Sequence, residues 1–213
     1  MIAFRTVTRF VAAVFLATAS FALPACKGSN SPTSSGRVAT FAPENGTPGL
    51  NSIALLAGTT SGANIDIRVT VTGVNQFLGA AFHITYNTTA LQFNGMSSTD
   101  SFLRPLPPDH EVPSSDLLFL ENHTTPGDIV ITATRVVDLN LPPADGGPVG
   151  PVDVTITSDL VVLNFTAHQA IAASTDDGLL AFGDPKQVCD GTIGPLGCGT
   201  IAVSWSGGKI AAQ

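Results

Sequence analysis

Basic side chains are scarce in this chain: nine Lys and Arg stand against sixteen Asp and Glu in 213 residues, a formal net charge of −7. Such a surface repels phosphates, which excludes DNA and RNA as partners. It repels anionic lipid headgroups equally, so membrane association has to run through an acyl chain. Charge of either sign is thin, at 12% of residues, while Gly, Pro, Thr and Val are plentiful. That bias favours strands and turns over helices. Trp205 and Tyr86 are the single examples of their kinds, and most of the twelve Phe fall at core parity. A face that binds polysaccharide by ring stacking normally shows several exposed flat aromatics, so that mode of binding is weakened, though sugar binding as such is not excluded. Catalytic signatures are missing too. The four histidines (His83, His110, His123, His168) have no metal spacing of the His-x-x-x-His kind. There is no Gly-x-Ser-x-Gly elbow and no phosphate-cradling glycine loop. Asp109-His110-Glu111 sits among prolines and reads as a solvated acidic loop. Asp176-Asp177 cannot flank a sugar bond as neighbours and reads as a turn. No enzyme is expected, and no cofactor. The one cofactor weighed is Ca²⁺, on oxygen ligands from Asp176, Asp177, Asp184 or Asp190, although no twelve-residue calcium loop is present.

The N-terminus is the one place with a long apolar run. Arg5 and Arg9 precede a nearly unbroken apolar stretch from Phe10 to Leu23, closed by Leu23-Pro24-Ala25-Cys26. The run is short for a membrane span, which takes about 20 apolar residues. It reads as a secretory signal over residues 1–25. The closing motif resembles the Leu-x-x-Cys box of bacterial lipoproteins, which implies acylation of Cys26; the alternative is an ordinary cleaved signal with a chance cysteine. Residues 26–50, opening on a Gly/Ser/Pro/Thr-rich run, read as a flexible tether. Cysteine arithmetic agrees, since acylating Cys26 leaves Cys189 and Cys198 as a pair in an oxidising compartment. They bracket a glycine-rich loop and are expected to form a disulfide rather than a metal or redox pair. Removing residues 1–25 takes away two arginines and no acid, moving the charge from −7 to −9. The 188 residues left suffice for one domain, taken as 51–213.

Period-two alternation dominates that domain. Ile65, Ile67, Val69 and Val71 alternate with Asp66, Arg68 and Thr70, a half-buried strand. Val74-Asn75-Gln76 reads as a turn, after which Phe82, Ile84 and Tyr86 share one side. Leu91 and Phe93 follow. Further strands are expected at 53–57, 117–120, 129–137, 161–168, 179–182, 200–205 and 209–212. About nine short strands separated by turn residues predict an all-β, two-sheet sandwich of immunoglobulin-like overall shape. Residues 94–116 and 138–153, both rich in proline, read as long irregular loops.

The stretch Gly79-Ala80-Ala81-Phe82-His83-Ile84-Thr85-Tyr86-Asn87, followed by Leu91-Gln92-Phe93, resembles the signature of the cohesin family, with Asn87 where that family usually has Asp. Ala63–Thr72, Gly127–Ala133 and Leu160–Ala167 resemble its other strands in compatible order. The resemblance implies a nine-stranded jelly roll related in fold to carbohydrate-binding modules. It also implies recognition of a dockerin-type protein module across one open sheet face, with a link to polysaccharide degradation. Ala81, His83 and Thr85 are then expected on that face and Asn87 at its rim. The expected protein is a monomeric, lipid-anchored envelope lipoprotein facing the surface or periplasm. A carbohydrate-binding module displayed at the cell surface, with polysaccharide as partner, is the second reading. A purely structural envelope lipoprotein is the third.

Overall fold

A computed structural model describes residues 36–104, 117–136, 150–194 and 197–213. Among them are thirteen strands and no helix, arranged as two stacked sheets in a jelly-roll sandwich. The larger sheet holds β1 (Ala39–Pro43), β4 (Val74–Thr85), β6 (Leu117–Asn122), β7 (Asp128–Arg135), β10 (Leu179–Gly194) and β13 (Gly208–Ala212). Their order is β1-β13-β10-β4-β7-β6, with β8 (Val152–Val154) on β4 and β11 (Gly197–Thr200) on β10. The smaller sheet runs β12 (Ser204–Ser206), β2 (Ser52–Ser61), β3 (Asn64–Thr72), β9 (Ser158–Ala167), β5 (Leu91–Ser97). The β12–β2 pair is parallel and the other described pairs are antiparallel.

The alternation read from the sequence sets the core. From the smaller sheet, Ile65, Ile67, Val69 and Val71 point inward beside Val161, Leu163, Phe165 and Ala167, all essentially solvent-free. From the larger sheet Phe82, Ile84, Ile129, Ile131 and Ala133 meet them. Phe82 packs against Phe182 at 5.5 Å and Trp205 at 5.9 Å between ring centroids, and Phe165 takes Tyr86 and Phe93 at 5.5 Å each. Each such fully buried side chain contributes about 1.5–3 kcal/mol of transfer free energy.

Several sequence expectations need correction. The tether was expected to run to residue 50, but Ala39–Pro43 is β1, paired residue for residue with β13. Ala39 is buried there and Phe41 packs on the core, so this segment alternates like any half-buried strand. Val74-Asn75-Gln76 is not a turn. Gly73 alone joins β3 to β4 across the two sheets, and residues 74–76 belong to β4 as a bulge beside β8. Gln76 adopts φ 56° there, its N–H donating to Asp153 Oδ1 at 2.8 Å. The loop expected over 138–153 ends in β8 at Val152–Val154. The strand expected at 179–182 continues to Gly194 through register shifts against β4. The loop expected over 94–116 starts later, because residues 94–97 belong to β5; residues 105–116 and 137–149 lie outside the described residues, as do the signal segment and Cys26.

Candidate functional site

β4 runs through the larger sheet between β10 and β7, so the residues that alternate away from its core side sit on a broad open face. Ala81 and Thr85 are exposed and His83 is half-buried. The register sets neighbours beside them: Ala81 faces Thr132 and Gln187, His83 faces Val130 and Gly183, and Thr85 faces Asp128 and Ala181. One strand further, Leu118 and Leu120 of β6 pair with Thr134 and Thr132 and are 37% and 54% exposed. The face is therefore built of small, hydroxylated and aliphatic side chains. The aromatics of these strands (Phe41, Phe77, Phe82, Phe119 and Phe182) all belong to or pack on the core.

One charged constellation stands on the face. His83 Nδ1 lies 3.0 Å from both carboxylate oxygens of Asp128 on the neighbouring strand, which fixes the ring and leaves Nε2 as its other polar atom. Thr85 donates its hydroxyl to the Ala181 carbonyl at 3.3 Å. Asn87 is engaged inside its own turn: its Oδ1 accepts from the Thr89 N–H and hydroxyl, at 3.0 and 2.7 Å, and its Nδ2 donates to Asp177 at 3.3 Å. It is the Asx residue that turns the chain from β4 to β5, at one end of the face. Leu118, Leu120, Val130 and Thr132 extend the surface over β7 and β6. Sequence reasoning had not singled them out, and their signal was alternation within 117–122 and 129–135.

The remaining candidates are scattered. Cys189 and Cys198 form a disulfide across the β10–β11 hairpin. Asp176 pairs with Lys209, Asp184 with Lys186, and Asp190 accepts from the Thr192 N–H at 2.7 Å. Among the described residues no three His, Cys, Asp or Glu side chains converge in a way that could hold a metal ion. His123 lies beside Phe93 and Glu121, His168 is exposed after β9, and the 109–111 cluster falls outside the described residues. Arg135 is buried and donates to the carbonyls of Leu103 at 3.1 Å and Gly150 at 2.9 Å. Its pKa is lowered by desolvation. Its two contacts tie down one flank of each proline-rich loop.

Comparison with known proteins places this architecture. The chain matches the cohesin domain family over residues 52–182, from the start of β2 into β10. No curated protein matches it. Among solved structures it is similar to a type II cohesin from the cellulosome of Acetivibrio cellulolyticus, at 14% identity and TM-score 0.48 over 76% of this chain and 95% of that one. It is similar to the sixth cohesin of scaffoldin B from the same organism, solved with a dockerin, at 14% identity and TM-score 0.47 over 73% and 95%. A Clostridium acetobutylicum cohesin is 20% identical, with TM-score 0.43 over 73% and 92%.

Proposed function

We propose, from the premise that this chain belongs to the cohesin family of non-catalytic protein-binding modules, that it is a surface-tethered receptor for a dockerin-type partner. The partner docks on the outer face of β10, β4, β7 and β6. The observation that carries this reading is the chemistry of that face. Short aliphatic and hydroxylated side chains let a second protein approach closely without stripping water from many charges. Aligned flat aromatics would suit a sugar chain instead, and the aromatic rings of these strands belong to the core. His83, braced by Asp128, supplies a directional hydrogen-bonding group, and Ala81 and Thr85 flank it.

Export and anchoring belong to the same reading: residues 1–25 direct secretion and Cys26 carries the acyl chain. A link to polysaccharide degradation follows if the partner dockerin belongs to a degrading enzyme. Surface plasmon resonance of the full chain against a panel of purified dockerin modules, run beside a polysaccharide retention assay, tests the receptor role. Binding of a dockerin that is lost in Val130→Arg supports it, and indifference to every dockerin removes it. Metabolic labelling with radioactive palmitate tests the anchor, with Cys26→Ala expected to abolish incorporation.

A further inference from the structure

The outer face of the smaller sheet, on the far side of the sandwich, is not flat. Two β-bulges bound it, one in β2 between Ala57 and Thr60 and one in β5 between Phe93 and Gly95. Both depend on glycine. A Cβ on Gly58 would lie 2.8 Å from the Asp66 carbonyl oxygen, and Gly95 holds φ +136°, which L side chains rarely adopt. Between the bulges lies an open trough of about 700 Å³, within the size range of small-ligand sites. Bulges re-aim side chains next to functional sites, and the β5 bulge turns the Asn94 amide over β9.

The trough floor carries two hydrogen-bonded clusters side by side, Arg68 with Asp159 and Asn94 with Asn164, Asp66 and Thr59. Arg68 donates from Nε to both oxygens of Asp159 at 2.8 and 3.0 Å, with Nη2 at 2.7 Å from Oδ1, and among the described residues Nη1 makes no hydrogen bond. Asn164 donates to Asp66 at 2.8 Å, and Asn94 donates to Asn164 at 2.7 Å and to Thr166 at 2.8 Å. Thr59 donates to the second oxygen of Asp66. Side chains braced in this way are already in place before a ligand arrives, which reduces the ordering entropy of binding. Asp100 joins them at the margin, and Val162 and Met96 supply apolar patches.

The chemistry selects the ligand. Three carboxylates against one guanidinium disfavour phosphate, sulfate and uronate groups. The acids do not converge on a point, so a metal ion is not the occupant. Carboxylate, carboxamide and guanidinium groups interleaved on one floor offer both donors and acceptors, which is what hydroxyl groups, themselves both, require. We infer that this trough is a binding site for a neutral oligosaccharide, separate from the protein-docking face and able to be filled at the same time. Its sugar rings lie along the floor, hydroxyls on Asn94, Asp100 and Arg68, with C–H faces on Val162 and Met96.

Calorimetric titration of the full chain with neutral gluco-, xylo- and manno-oligosaccharides tests this, with oligogalacturonate and oligolysine as controls. At least one neutral oligosaccharide binds and oligogalacturonate does not. Asn94→Ala and Asp100→Ala each weaken binding about tenfold, as loss of one good polar contact does, with unchanged thermal unfolding. Ala81→Arg on the opposite face leaves it intact. The inference is overturned if no neutral sugar binds at millimolar concentration, if both exposed-residue variants bind as wild type, or if oligolysine binds more tightly than every sugar.

Discussion

The two outer faces of this sandwich are made by the same alternation and share one core, yet their chemistry diverges. On the larger sheet the outward positions are Ala81, Thr85, Val130, Thr132, Leu118 and Leu120, with His83 and Asp128 as a paired exception. On the smaller sheet they include Asp66, Arg68, Asn94, Asp159 and Asn164, held in two clusters, Arg68 with Asp159 and Asn94 with Asn164 and Asp66. The first surface is cheap to dehydrate over a broad area. The second resists dehydration except by a ligand that restores each hydrogen bond. A β-sandwich can thus carry two unrelated recognition chemistries, because the inward parity alone is committed to folding.

The two faces differ only on the outside, and the largest effect is expected on the inside. Phe82→Ala and Phe165→Ala, one from each sheet, are expected to destabilise the fold about equally, by about 3–5 kcal/mol in urea unfolding. A large inequality would mean that the sheets do not share one core. Next comes Ala81→Arg, which places a long charged side chain between Thr132 and Gln187 on this sparsely charged face. Dockerin binding is expected to weaken about 100-fold, or ~3 kcal/mol, with the unfolding midpoint unchanged. Reducing the Cys189–Cys198 disulfide, which staples only the larger sheet, should cost about 2–3 kcal/mol by the chain-entropy argument, read as a shift in the denaturant midpoint. The two arginines give the finest contrast. Arg135→Leu leaves the Leu103 and Gly150 carbonyls without their donor and should cost about 1–3 kcal/mol. Arg68→Met removes a pair whose side chains are 38% and 22% exposed. It should cost less than about 1 kcal/mol, even though the hydrogen bond to Asp159 raises the Arg68 pKa.

How far the sequence could be read depended on whether the signal was local. Alternation in 65–71, 82–86 and 161–167 is a property of a few successive residues, and those strands and their buried sides were legible. The outward direction of Ala81, His83 and Thr85 followed directly. β10 was read as ending at Phe182 because Gly183, Asp184 and Pro185 look like a turn, whereas β4 carries it on through register shifts. β8, three residues long among prolines and glycines, has too little pattern to detect and exists through its pairing with β4. The polar trough was invisible for a related reason. Asp66, Arg68, Asn94 and Asn164 each look like ordinary solvent-side residues. Only the register of β3 on β9, with Asp66 opposite Asn164, and the bulge in β5 bring them together.

β1 enters the sheet where β13 leaves it, with Val38 and Gln213 exchanging backbone hydrogen bonds at 2.8 and 3.2 Å. This has a mechanical meaning. A pull delivered through the residues ahead of Arg37 and directed along β1, against a partner gripped on the flat of the sheet, slides β1 lengthwise past β13. All five of their residue pairs then carry the load in parallel rather than opening one after another. A short edge strand, held this way, becomes the part of the module that resists drag.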